Sequence, residues 1–139
     1  MAVNLNRTPR SIGGIKAKNT ITRLSDRQGR AHGVNPRLVR ELKQRITAAK
    51  TQFRLHEEIA DYYAEAAKLR QTRSQLKFTK ITIKRKGRPS FTREKNSQER
   101  ARDTTRIDQI NGQLSQIRIL IKSKKSLLKK VDPKVNPAK

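Results

Sequence analysis

The chain has no cysteine and no tryptophan. The first absence removes disulfides, thiolate chemistry and cysteine-based zinc sites together, and it leaves the redox compartment open. Aromatics are scarce, at three Phe and two Tyr, and hydrophobic residues make up only 32% of 139. So short a chain with so few large apolar groups cannot bury a broad globular core. The conformational entropy lost on folding must be offset along narrow helical seams or on a partner. No apolar run is long enough to span a bilayer, and without Trp an interfacial helix lacks its usual anchor, so no membrane partner is expected. His32 and His56 each stand without a second ligand at metal spacing. No phosphate-cradling glycine loop and no nucleophile motif occurs, so neither an enzyme, a metal site nor a cofactor is expected.

Acidic residues are also few. Lys and Arg number 35 against 11 Asp and Glu, for a formal net charge of +24 and a pI near 11.5. Such self-repulsion favours a polyanionic partner, and nucleic acid is the commonest, because each phosphate neutralised releases condensed counterions without any sequence recognition. The charge lies in blocks. Residues 1–40 carry nine basic side chains and one acidic, 68–95 carry eleven and one, and 109–139 carry eight and one. Residues 41–67 carry four and five, and 96–108 carry three of each. The nearly neutral block 41–67 also has the best helix pattern, so folding and binding are expected on different segments.

Asn35-Pro36 reads as a helix start, with Asn as N-cap and Pro at the first helical position. Val39, Leu42, Ile46, Ala49 and Phe53 follow at alternating steps of three and four. The pattern resumes in a shifted phase as Leu55, Ile59, Tyr62, Ala66, Leu69 and Leu76, predicting one helix over 36–76. A second helix is predicted over 97–131, where Ile107, Ile110, Leu114, Ile117, Ile121, Lys124 and Leu128 keep the same spacing. Asn96 and Glu99 form a capping-box pattern before it, and Pro133 stops it. Glu57, Glu58, Asp61 and Glu65 are expected to make surface ion pairs with Arg54 and Lys68. Between the helices, Lys77 to Lys84 alternates β-branched residues with charge, as a short strand does, and Ser90–Thr92 is one candidate partner for it. The expected fold class is all-α. Two long helices form an antiparallel coiled-coil hairpin, or an oligomeric coiled coil, with extended basic arms and a strand-like linker.

The expected organisation is a basic arm or partial helix-turn-helix at 1–34, helix one at 36–76, the linker at 77–95, helix two at 97–131 and a tail at 132–139. Met1 to Ser25 holds five basic residues, no acidic one and no clear amphipathic stripe. This composition fits both an organelle transit segment and a nucleic-acid-binding arm.

Two segments bear local resemblances. Lys86-Gly87-Arg88-Pro89 is similar to the core of an AT-hook, with Lys86 where that family has a second Arg. The resemblance implies contact with the minor groove of A·T-rich DNA. Residues 25–44 resemble a helix-turn-helix, with Gly29, Gly33, Val34, Val39 and Leu42 at its small, turn and core positions, and Gln28 and His32 at two positions it expects to be apolar. That resemblance implies a groove-entering helix start carrying Arg37 and Arg40.

The candidate nucleic-acid contacts are therefore Lys77, Lys80, Lys84, Arg85, Lys86, Gly87, Arg88, Pro89 and Arg93 in the linker. Arg27, Arg30, Arg37 and Arg40 stand near the N-terminal segment, and Lys122, Lys125 and Lys129 on helix two. The candidate seam comprises Leu42, Ile46, Phe53 and Ile59 of helix one, with Ile107, Ile110, Leu114, Ile117, Ile121 and Leu128 of helix two. The function expected is that of a DNA-binding architectural or regulatory protein, nucleoid-associated or viral, with DNA favoured over RNA and self-association through the heptads. A structural subunit of a ribonucleoprotein or virion is the alternative, and a module binding an acidic protein is the third reading. The expected location is cytoplasm, nucleoid or virion, with an organelle left open.

Overall fold

The computed structural model describes residues 4–131. The predicted tail at 132–139, with Pro133, lies outside the described residues. In chain order the elements are α1 (Ile12–Ala31), α2 (Pro36–Leu76), β1 (Lys80–Arg85), β2 (Arg88–Glu94) and α3 (Ser97–Lys130). The fold is mostly helical, three helices with one small antiparallel sheet. None of the described helices is long and apolar enough to cross a membrane. Contacts divide the chain into two units, Met1–Tyr63 with Leu120–Lys139, and Ala64–Ile119.

In the first unit, α1 occupies a stretch that the sequence reads as an arm or a partial helix-turn-helix. The Ser11 side chain caps it by accepting the Gly14 N–H at 2.9 Å. Contrary to the expectation of no stripe, Gly14, Ala17, Leu24 and Ala31 are buried on one face, with Ile21 and Gln28 half-buried between them. The 14/17/21/24/28/31 repeat keeps the three-four spacing of a seam, but small residues and one amide fill most of it, so hydrophobicity alone hides it. Leu24 and Ala31 pack with Leu42, Ile46 and Ala49 of α2, flanked by Ile21, Leu38 and Val39. Gln28 satisfies its amide by donating to the Val39 carbonyl at 3.4 Å. Gly33 ends α1 at φ +78°, which favours glycine over other residues. The Asn35 side chain then caps α2 by accepting the Leu38 N–H at 3.2 Å.

The phase shift of α2 now has a cause. Going from Phe53 to Leu55 turns the stripe by about 200° at roughly 100° per residue, so it moves to the other side of the helix. The first stripe serves α1. On the second face Glu58 pairs with Lys124 at 2.8 Å, and the Tyr63 hydroxyl accepts a hydrogen bond from Lys125 at 2.8 Å, so the end of α3 lies along it. Lys124 stands at a heptad position because Glu58 meets it there. Leu42, Ala49 and Phe53 are fully buried, and Leu55 and Ile59 nearly so. Burial of each large side chain stabilises by about 1.5–3 kcal/mol. Ile121 and Leu128 are half-buried.

Glu57 departs from expectation. It is fully buried in the core and pairs with Arg7 at 2.8 Å, not with a neighbour on its own helix. Both its oxygens also accept the Arg10 N–H, at 2.9 and 3.1 Å. Asp61 completes the clasp with Arg7 and Arg10. The closeness of α1 to α2 depends on glycine here, since a Cβ on Gly14 would run into the Glu57 carboxylate.

In the second unit Ala66, Ile110, Leu114 and Ile117 are buried, with Leu69 and Ile107 half-buried. Arg73 donates to the Asn111 side chain at 2.9 Å. The capping box before α3 is complete, since the Glu99 N–H donates to Asn96 Oδ1 at 2.9 Å and the Asn96 N–H to Glu99 Oε1 at 3.0 Å. The two strands between the helices pair antiparallel, which supplies the partner that a lone strand needs.

Candidate functional site

The basic linker folds as a β-hairpin whose two faces differ in chemistry. Ile81 and Ile83 lie opposite Arg93 and Phe91 on one face, while Lys80 and Thr82 lie opposite Glu94 and Thr92 on the other. The first face is partly covered and the second exposed, so alternation at period two decides what reaches solvent. Thr82 and Thr92 add a cross-strand hydroxyl contact at 3.3 Å. Lys77 to Thr79 turn out of α2 ahead of the strand, with the Phe78 N–H donating to the Gln75 carbonyl at 3.2 Å.

The hairpin stands on α3 through ion pairs at its base. Arg93 grips Glu99 with both nitrogens of its fork, at 2.7 and 3.3 Å. Arg93, first, and then the Asn96 N–H hold the Glu99 carboxyl below the usual carboxylate range. Lys95 donates to the Leu76 carbonyl at 3.4 Å and pairs with Asp103, and the Lys95 N–H bonds the Thr79 carbonyl at 2.8 Å. Arg93, a candidate nucleic-acid contact, is thus committed to the hairpin's footing.

The tip carries the densest charge. Arg85 and Arg88 are direct cross-strand partners around the two-residue turn Lys86-Gly87, where Gly87 sits at φ +73°. The register slips between Ile83 and Arg85. Two residues of β1 advance against three of β2, and the extra residue falls at Pro89-Ser90, where proline has no N–H to offer the ladder. Lys84, Arg85, Lys86 and Arg88 are all exposed. The Arg85 guanidinium lies over the Phe91 ring, 4.7 Å from its centroid. Among the described residues, no carboxylate pairs with any of these four cations. Like charges directly opposite destabilise a strand pair, so an isolated tip of this kind works against its own hairpin.

No protein-family model, no curated protein and no solved structure matches this chain.

The remaining candidates are dispersed. Arg27 and Arg30 are exposed on the last turns of α1, and Arg37 and Arg40 on the first two turns of α2. Arg37 pairs with Glu41 at 3.6 Å. Val34, a core position of the helix-turn-helix resemblance, is 81% exposed, whereas Leu42 is fully buried. Lys122 and Lys129 are exposed on α3. Lys125 is held by the Tyr63 hydroxyl and lies 5.3 Å from that ring's centroid. The structure therefore gathers Lys80, Lys84, Arg85, Lys86, Gly87, Arg88 and Pro89 into one hairpin. It assigns Arg93 and Lys125 to internal contacts.

Proposed function

We propose that the chain is a non-enzymatic nucleic-acid-binding protein that seats the hairpin tip Lys84–Arg88 on a phosphate backbone. One observation carries this reading, the juxtaposition of Arg85 and Arg88 across a two-residue turn, with Lys84 and Lys86 beside them and no carboxylate partner among the described residues. A polyphosphate relieves that repulsion and releases counterions as it does so. Two lysines and two arginines crowded at one tight turn offer charge-assisted donors to phosphate oxygens, contacts that position a protein without reading base edges. In this reading α2 and α3 form an antiparallel coiled-coil hairpin, a stiff support for the tip. Ile107, Ile121 and Leu128 of the seam are only half-buried in a single copy, which leaves apolar surface for self-association through the heptads. Duplex DNA of architectural or regulatory sites is the favoured ligand. The second reading, a structural subunit of a ribonucleoprotein or virion, uses the same tip on structured RNA.

A mobility-shift comparison of duplex DNA, single-stranded DNA and structured RNA at two salt concentrations tests the proposal. Duplex binding that weakens steeply with salt supports it. Preference for structured RNA moves the assignment to the second reading, and binding to none of the three rejects it.

A further inference from the structure

A groove in the first unit gathers cations that are far apart in sequence. Lys16 and Arg23 come from α1, Arg45 from α2 and Lys129 from the end of α3, with Gln52 and His56 between them, around an open volume of about 790 Å³. Four cations and no carboxylate line it among the described residues. Among the described residues of this unit, the acidic side chains other than Asp26 are committed elsewhere. Glu57 and Asp61 hold Arg7 and Arg10, Glu58 holds Lys124, and Glu41 holds Arg37. Lys16, Arg23 and Lys129 are exposed, and among the described residues none of them has a carboxylate partner. Asn19, Thr20 and Gln52 add neutral polar groups to the same wall, the mixture that phosphate oxygens accept from.

We infer that this groove is a second phosphate-binding site, which takes a phosphodiester strand of a nucleic acid. The inference rests on the nucleic-acid reading above, but on different residues in the other unit. It places Lys16 and Arg23 of α1 and Lys129 of α3 on one strand, whereas the tip offers a single short turn. A free oligophosphate presents the same chemistry and is the alternative source of the phosphate.

Lysine acetylation read by mass spectrometry tests this on the unaltered protein, with and without a short DNA duplex, and separately with inorganic tripolyphosphate. The expected result is severalfold slower acetylation of Lys16 and Lys129 with duplex, alongside Lys84 and Lys86, while Lys43, exposed on α2 outside the groove, reacts as before. Protection of Lys84 and Lys86 without Lys16 and Lys129 overturns the groove site and leaves the hairpin reading standing. Equal slowing at Lys43 means general screening and also overturns it. Protection by tripolyphosphate but not by duplex overturns the nucleic-acid occupant. No protection of any lysine by duplex overturns both readings.

Discussion

The Arg7 guanidinium donates to the Glu57 carboxylate at 2.8 Å across fifty residues of sequence, and Glu57 is fully buried. The contact ties the segment before α1 to the middle of α2. It also explains how a buried anion is tolerated, since Arg7 and the Arg10 N–H satisfy it together. Breaking a buried pair by removing one partner typically costs about 3–5 kcal/mol. Arg7→Ala should cost less, about 2–3 kcal/mol, because the Arg10 N–H remains and Arg7 is partly exposed. Urea unfolding measures it, and a double-mutant cycle with Glu57→Gln should show strong coupling. Additive effects would mean that the two side chains do not support each other.

Two helical glycines should respond in opposite directions to alanine. At Gly14 a Cβ would meet the Glu57 carboxylate, whereas at Gly112 it would meet nothing. Gly14→Ala should destabilise by about 1–3 kcal/mol through forced displacement of a close-packed neighbour. Gly112→Ala should stabilise by up to about 1 kcal/mol, because alanine is the better helix former. Thermal unfolding of the two variants checks both signs.

Acid should weaken the first unit in two stages. Burial lowers the pKa of His56 from its ordinary 6.5, against a smaller opposing pull from Glu57. The Arg7 hydrogen bond lowers that of Asp61 from 3.8. Both groups bind protons more readily in the unfolded chain, so stability rises with pH wherever the unfolded state holds the extra proton. The His56 contribution is complete above about pH 6.5 and is lost as pH falls below it, and the Asp61 contribution is lost only in stronger acid. The unfolding midpoint, followed from pH 8 to pH 3, should fall in both ranges. His56→Gln should flatten the upper range and leave the lower one. A wild-type midpoint that stays level between pH 7 and pH 5 would contradict this.

How much of this was legible in the sequence depends on side-chain size and on reach. The stripes of α2 and α3 show because Leu, Ile and Phe repeat at helical spacing, and the start of α3 shows because Asn96 and Glu99 are each other's caps. Helix α1 was hidden by chemistry. Its buried face is written in Gly14, Ala17, Gln28 and Ala31, and only Ile21 and Leu24 register as hydrophobic. The phase shift in α2 was visible, but it reads as one interrupted seam until α1 and α3 are known to lie on different faces. At the candidate site, the basic run 84–88 stands out in the sequence, whereas the facing of Arg85 by Arg88 needs the register. The diversion of Arg93 to Glu99 and of Lys125 to Tyr63, and the meeting of Lys16, Arg23 and Lys129, depend on contacts that no local spacing encodes.

The most direct test of the account is duplex-DNA affinity as a function of salt, for the wild type and for the variant combining Lys84→Gln, Arg85→Gln and Arg88→Gln, with helicity checked by circular dichroism. The logarithm of the association constant should fall linearly with the logarithm of salt concentration, and the variant should lose about 0.9 of slope for each phosphate contact removed, along with affinity at low salt. A variant that binds with the wild-type slope and affinity, or a wild type indifferent to salt, would contradict the claim that this hairpin tip exists to meet phosphate.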